Sequence, residues 1–311
     1  MTTPAIQRWA VQLEYDGRGL VGWQRQASGL SVQALLEEAA FRLAGGRPVP
    51  SITAGRTDSG VHALAQVAHL DFPADASFSS YSVREGLSYH LKPHAVVVLD
   101  AAPVSLDWSA RFSATWRSYR YRILNRRTRP ALAEGHVWHV KSPLDVHRMQ
   151  QAANMLLGLH DFTSFRAVAC QANSPVRTLD QLDITREGDE VVVFAKARSF
   201  LHHQVRNMVG TLKKVGTGAW EPERVALALA ARDRSAAGPT APPDGLYLHG
   251  VGYEPDPFAR PTPPNRTYAT LPAAHIQPYG HNGIPLPLPL PSPCAHAGHA
   301  HPCNAGATAP P

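Results

Sequence analysis

Ala54-Gly55-Arg56-Thr57-Asp58-Ser59-Gly60-Val61-His62-Ala63 forms a glycine-bounded loop. It follows a predicted short strand and runs into the apolar stretch Gln66-Val67-Ala68-His69-Leu70. The glycines permit a tight backbone turn. Asp58 stands at the tip, with Arg56 two residues before it and His62 four residues after. A guanidinium beside a carboxylate favours its charged form and fixes its direction. An aimed, charged Asp suits nucleophilic or base work on a sugar. The same residues also read as an Asx-turn Asp with a structural Arg, and physical chemistry alone leaves both readings open.

Outward from this loop, strands and helices alternate over about residues 6–257. Trp9, Val11, Leu13 and Tyr15 alternate, which predicts a strand over 8–15. Ser31 caps a helix with apolar positions Val32, Leu35, Leu36, Ala39, Ala40 and Leu43, ending at Gly45-Gly46. Strands are expected at 65–72 and 95–100, with a helix over 81–91 between them. A second cycle follows: a strand at 117–124, then a helix at 145–157 capped by Asp145 and stopped by Gly158. Next come a hairpin of 178–186 and 190–197, helices at 200–215 and 222–231, and a last strand at 247–253. Two similar halves rich in β-α-β units predict an α+β fold. It would comprise two ferredoxin-like, RRM-like sandwich halves, 1–107 and 108–258, with a largely antiparallel sheet. Helices would cover one sheet face and leave the other open, a common RNA platform, with a basic cleft between the halves.

Composition bounds the function. Of 311 residues, 44% are apolar and 17% charged, enough for a buried core, so wholesale disorder is excluded. No run approaches about 18 uninterrupted apolar residues, so no membrane span is expected. The first residues show no basic-then-apolar leader, and the expected compartment is the cytoplasm. Cys170, Cys294 and Cys303 give no disulfide framework. Net charge is +6, and only Lys92, Lys141, Lys196, Lys213 and Lys214 among the 30 basic residues are not Arg. Arg binds phosphate bidentately and stacks on bases, so the charge points weakly to nucleic acid.

Composition changes sharply near Phe258. Residues 259–311 are proline-rich and lack acids, and Ile284-Pro-Leu-Pro-Leu-Pro-Leu-Pro291 is polyproline-like. This segment reads as a disordered Pro/His-rich tail. Cys294-Ala-His-Ala-Gly-His-Ala-His-Pro-Cys303 offers thiols and imidazoles that bind Zn, Ni or Cu. It reads first as a biased tail with incidental metal affinity.

Gly55-Arg-Thr-Asp-Ser-Gly-Val-His-Ala63 resembles the signature loop of the TruA family of tRNA pseudouridine synthases. The resemblance spans nearly the whole body. It includes Leu13-Glu-Tyr-Asp-Gly17, Gly22-Trp-Gln-Arg-Gln26, Ala110-Arg-Phe-Ser-Ala-Thr115, His160-Asp-Phe-Thr-Ser-Phe-Arg166 and Phe200-Leu-His-His-Gln-Val-Arg-Asn-Met-Val-Gly210. The resemblance implies isomerisation of uridine to pseudouridine at positions 38, 39 and 40 of the tRNA anticodon arm, without cofactor or metal, by a homodimer. It places the catalytic aspartate on Asp58, active-site arginines on Arg56 and Arg206, and a base-stacking tyrosine on Tyr119.

The chemistry fits these residues. The uracil leaves C1′ as an anion, and a carboxylate beside C1′ traps or stabilises the electron-poor carbon, as in glycosidases. Alternatively Asp58 removes the C2′ proton. The uridine must be extruded at a cost of a few kcal/mol, and Tyr119 suits stacking beneath it, although alone it also reads as a half-buried strand tyrosine. Arg111, Arg117, Arg120, Arg122, Arg126, Arg127 and Arg129 lie in an acid-free stretch interleaved with aromatics. Arg120 and Arg126 are expected to grip phosphate from the side opposite Tyr119, against the plainer reading of a solvated Arg-rich surface. His202 and His203 read as packing or phosphate contacts, His160 and Asp161 as loop caps, and Asp16-Gly17 as a turn. Two rival functions stand beside the enzyme: a catalytically silent tRNA chaperone of the same fold, and an N-glycosidase. The intact Asp58, Arg56 and Tyr119 argue against the first. The lack of a carboxylate cluster argues against the second.

Overall fold

The computed structural model describes residues 5–75 and 77–259. The tail reading, with its Cys294–Cys303 metal ligands, lies outside the described residues. The chain order is β1 (Ile6–Tyr15), α1 (Val32–Leu43), β2 (Ser51–Thr53), β3 (His62–Pro73), α2 (Ser80–Leu91), β4 (Val96–Val104), β5 (Ala114–Leu124) and β6 (Trp138–His139). It continues with α3 (Val146–Asn154), β7 (Gly158–Asp161), β8 (Val176–Glu187), β9 (Glu190–Ala197), α4 (Gln204–Gly216), α5 (Glu223–Ala231) and β10 (Leu246–Tyr253).

The strands form one open sheet in the order β4-β1-β3-β10-β5-β9-β8-β7, with β2 beside β3 and β6 beside β5. Pairing is antiparallel except between β3 and β10 and between β5 and β6. The fold is therefore α+β with a large, mostly antiparallel sheet.

Local sequence explains most elements. Ser31 Oγ accepts from the Ala34 amide and Asp145 from the Arg148 amide, so α1 and α3 begin where the capping residues predict. Alternation puts Trp9, Val11, Leu13 and Tyr15 of β1 inward against Val32, Leu36 and Ala40 of α1 and Val83, Leu87 and Leu91 of α2. A second core joins Tyr121 and Ile123 of β5 and Val191, Val193 and Ala195 of β9 to Met149 of α3, Met208 and Leu212 of α4, and Val225 of α5. Leu246 belongs to the second core and Leu248 to the first. Residues two apart on a strand share a face, so both cores, with all five helices, lie on one side of the sheet. Tyr119 packs against both. Each fully buried Leu, Ile, Val or Phe contributes about 1.5–3 kcal/mol; truncating Leu36 or Leu70 to Ala costs about 2–5 kcal/mol.

Two elements differ from the sequence expectation. The helix expected from residue 200 begins at Gln204. Gln204 Oε1 accepts from the Leu201 amide, a capping-type contact that ends the preceding loop. His203, at φ 62°, turns the chain in the left-handed region just before the helix. Residues 158–161 form β7 rather than a helix end.

Candidate active site

The loop between β2 and β3 carries Asp58. It is pinned to the segment after β1: the Trp23 amide donates to Thr57 O (3.0 Å), the Gly60 amide to Leu20 O (3.3 Å), and Ser59 Oγ to Leu20 O (3.1 Å). Gly22, at φ 98°, lets that segment pass so close that a Cβ there would sit 2.6 Å from Thr57 O. The Val61 amide donates back to Asp58 O at 3.1 Å, and Gly60 supplies the positive φ (77°) this turn needs. Beneath the loop, Tyr15 OH meets Thr57 Oγ1 at 2.7 Å; burial pushes that phenol up to about 12. The loop is thus rigid around an acid whose side chain keeps 21% of its exposure.

Asp58 is held by α4. Arg206 Nη1 donates to Asp58 Oδ2 at 2.9 Å, while Arg206 Nε donates to Ala241 O at 2.8 Å. His202 Nε2 lies 3.3 Å from Oδ1 and His203 Nε2 lies 3.3 Å from Oδ2. The expected pairing of Asp58 with Arg56 is corrected here. Arg56 is exposed and makes no ion pair among the described residues, because the loop points it outward while Arg206 reaches in from α4. Burial pushes the His203 imidazole below its usual range; the Asp58 charge opposes this, while His202, Arg206 and Arg234 reinforce it. Tyr119 is edge-on to Phe200, ring centres 5.1 Å apart. Burial, then the Asp58 charge, raises its phenol far above the usual range.

Sequence reasoning missed a second cluster behind the same loop. Arg18 grips Asp16 through its amide, Nε and Nη2, at 2.6–3.1 Å. His136 Nε2 lies 3.0 Å from Asp16 Oδ2, and buried His62 places Nδ1 3.1 Å from Oδ1. The Gly17 amide donates to His62 Nδ1, and Nε2 faces Gly135 O at 3.1 Å. The His62 ring stacks between Tyr247 and His136, at 4.7 and 5.1 Å. Burial opposes ionisation of Asp16, yet the bonds from Arg18 and His136 hold its carboxyl well below the usual range. The available signal was His62 itself, in a signature loop too crowded to leave it free.

The basic residues divide. Arg117 is buried and donates to the carbonyls of Ala54, Arg111, Ala114 and Arg198. It ties β5 to the loop base as a structural donor, apart from the rest of the basic stretch. Arg120 pairs with Glu187 (2.9 Å), Arg126 with Asp189 (3.2 Å) and Arg122 with Glu190 (2.6 Å). The acid-free stretch is acid-free only along the chain, because the β8–β9 hairpin folds its acids beside it. His160 bonds the Leu157 carbonyl, and Asp161 accepts from Thr163, so both cap the local turn as expected.

Asp58 with His202 and His203, and Asp16 with His62 and His136, each bring three metal-ligand atoms within 4.8 Å of one another. In both trios an arginine already donates to the carboxylate. A cation there would sit beside a guanidinium already bound to the same carboxylate, and like-charge repulsion opposes it. Among the described residues no helix is long and apolar enough to cross a membrane.

A family profile described as tRNA pseudouridine synthase matches residues 152–254. A Gluconobacter oxydans protein named tRNA pseudouridine synthase A is 63% identical over 255 residues, covering 82% of this chain and 93% of the relative. An Acidiphilium cryptum protein of the same name is 66% identical over 256 residues, covering 82% of this chain and all of the relative. A third so named, from Rhodospirillum rubrum, is 58% identical over 246 residues, with 79% and 87% covered.

Proposed function

The chain belongs to the tRNA pseudouridine synthase A family and isomerises uridine to pseudouridine in tRNA, and we propose that Asp58 carries the reaction, at positions 38, 39 and 40 of the anticodon arm. The observation that supports this best is the Asp58 carboxylate on a pinned loop, one oxygen held by Arg206 and the group still accessible. Such a group reaches a ribose only when the nucleotide leaves its stack, at a few kcal/mol. At C1′ it traps or stabilises the carbon as the N1–C1′ bond breaks; at C2′ it takes the proton instead. Either route needs the aim that Arg206 provides.

The flipped uracil stacks on Tyr119, which sits where both cores meet beneath the loop. Exposed Arg56 binds the adjacent phosphate. Arg120 and Arg126 contact the RNA backbone at the cost of loosening their pairs with Glu187 and Asp189. The halves 1–107 and 108–258 flank a basic cleft, each with its own ferredoxin-like core. The working species is a cytoplasmic homodimer, and the reaction, a redox-neutral rearrangement, proceeds on protein groups alone.

The test is incubation of the purified protein with unmodified tRNA, followed by mapping of pseudouridine. Conversion at 38–40 is expected. Conversion confined to another arm would overturn the assignment of position, and no conversion would overturn the activity.

A further inference from the structure

The isomerisation moves a proton as well as a bond. N1 leaves C1′ with the electron pair, and the C5=C6 π pair of the rotated ring forms the C1′–C5 bond. C5 then carries both its hydrogen and the ribose. The C5–H bond must break, its pair restoring the ring double bond, and N1 must gain a proton. No net proton is consumed, but something must accept at C5.

Tyr119 is poorly suited to this. Its phenol is pushed far up by burial and by the Asp58 charge, so its basic form is scarce. We propose that His203 is a further catalytic residue, the base that takes the C5 proton and returns it to N1 directly or through water. This rests on the proposed role of Asp58. The new bond is made at C1′, the atom Asp58 addresses, so the C5 hydrogen is released beside that carboxylate. His203 Nε2 lies 3.3 Å from Asp58 Oδ2. Arg206 donates to that same oxygen at 2.9 Å, so the aimed carboxylate and the imidazole stand side by side where the C5 hydrogen is released.

Two observations support the assignment. His203 adopts φ 62° and ψ 4°, outside the helix it precedes, and its side chain makes no capping bond. A left-handed non-glycine residue is strained, and here the turn directs the imidazole to the acid. Its surroundings also keep it unprotonated near neutrality. It faces Asp58 from the loop, His202 and Arg206 on its own segment, and Arg234 from the turn Arg234–Ala236. Arg234 is fixed by its bonds to Gly238 O, Asn207 Oδ1 and Thr240 Oγ1. His202 is more exposed and faces the other oxygen.

The test uses His203→Gly, since glycine accepts a positive φ without strain, and tRNA carrying deuterium at C5 of the target uridine. The variant is expected to bind tRNA like the wild type and turn over about 100-fold more slowly or worse. Added imidazole should restore activity, and the deuterium should slow the rescued reaction. His203→Asn, which also tolerates this backbone, should be equally slow. In the unaltered protein, the deuterium effect on kcat should grow as pH falls and His203 becomes protonated. A His203→Gly enzyme as fast as wild type, or one that binds tRNA but is not rescued by imidazole, overturns the proposal. So does a deuterium effect that stays constant while the wild-type rate falls. Wild-type conversion of unmodified tRNA is the control that separates failure here from failure of the activity itself.

Discussion

Two clusters of the same composition sit on either side of one loop: Asp58 with Arg206, His202 and His203, and Asp16 with Arg18, His62 and His136. Their carboxylates are equally exposed, at 21%, so burial does not distinguish them. Saturation does. Asp16 receives two nitrogens from one edge of a guanidinium, a backbone amide and an imidazole, and His62 has a partner at each ring nitrogen. Asp58 accepts one guanidinium bond and has two imidazoles 3.3 Å away. The first cluster locks three segments together, while the second leaves lone pairs for a substrate. Residue types alone do not separate a clasp from a reactive centre; the partners left over do.

The sharpest way to break this contrast is to remove the arginine from each cluster. Arg206→Ala should lower kcat about 100-fold, because the carboxylate loses its aim, with melting temperature little changed. Arg18→Ala should leave kcat within a few-fold. Equal kinetic losses in both variants would erase the distinction.

Asp16→Ala should do the reverse of Arg206→Ala. Stranding the groups it satisfies costs about 1–3 kcal/mol, or about 2–4 °C of melting temperature per kcal/mol in a chain of this size. Thermal melts followed by circular dichroism would show this, and an unchanged melting temperature would refute the clasp.

Acidification tests both clusters at once. Burial lowers His62 and His203 below the ordinary value of 6.5, and His69 to about 4. The unfolded chain takes up these protons near 6.5 while the folded chain resists until lower pH. Their contribution to stability is therefore intact above 6.5 and lost as pH falls below it. Melting temperature should drop by a few degrees between about pH 7.5 and pH 5, and a rise would contradict the assignment.

The smallest expected effect lies outside both clusters. Arg120→Ala should weaken tRNA binding a few-fold and flatten its salt dependence by about one unit of slope. The pair with Glu187 is a surface one, so the fold should hardly notice. An unchanged slope in a filter-binding titration would remove Arg120 from the RNA contact.

Which parts of this were legible in the chain follows from range. The strands and capped helices were, because alternation in Trp9–Tyr15 and the side-chain caps Ser31 and Asp145 act within a few residues. Asp58 was legible because its loop carries its own turn glycines. Its partner was legible only through the resemblance, which put both Arg56 and Arg206 in the active site. Arg56 is two residues away and Arg206 is 148 residues away, and only tertiary packing decides between them. The same holds for Arg120 and Arg126, whose acids arrive on a distant hairpin, and for Arg117, whose burial no local pattern announces. The left-handed turn at His203 broke a helical pattern that otherwise continued back to Phe200, and the contact from Gln204 to the Leu201 amide was the local sign of it.

The central claim is that the Asp58 carboxylate performs the isomerisation. It is tested most directly by single-turnover formation of pseudouridine on unmodified tRNA, wild type beside Asp58→Asn. The wild type should convert its target uridines, and the variant should bind the tRNA and form no product above background. Product appearing at the wild-type rate from Asp58→Asn would contradict the account.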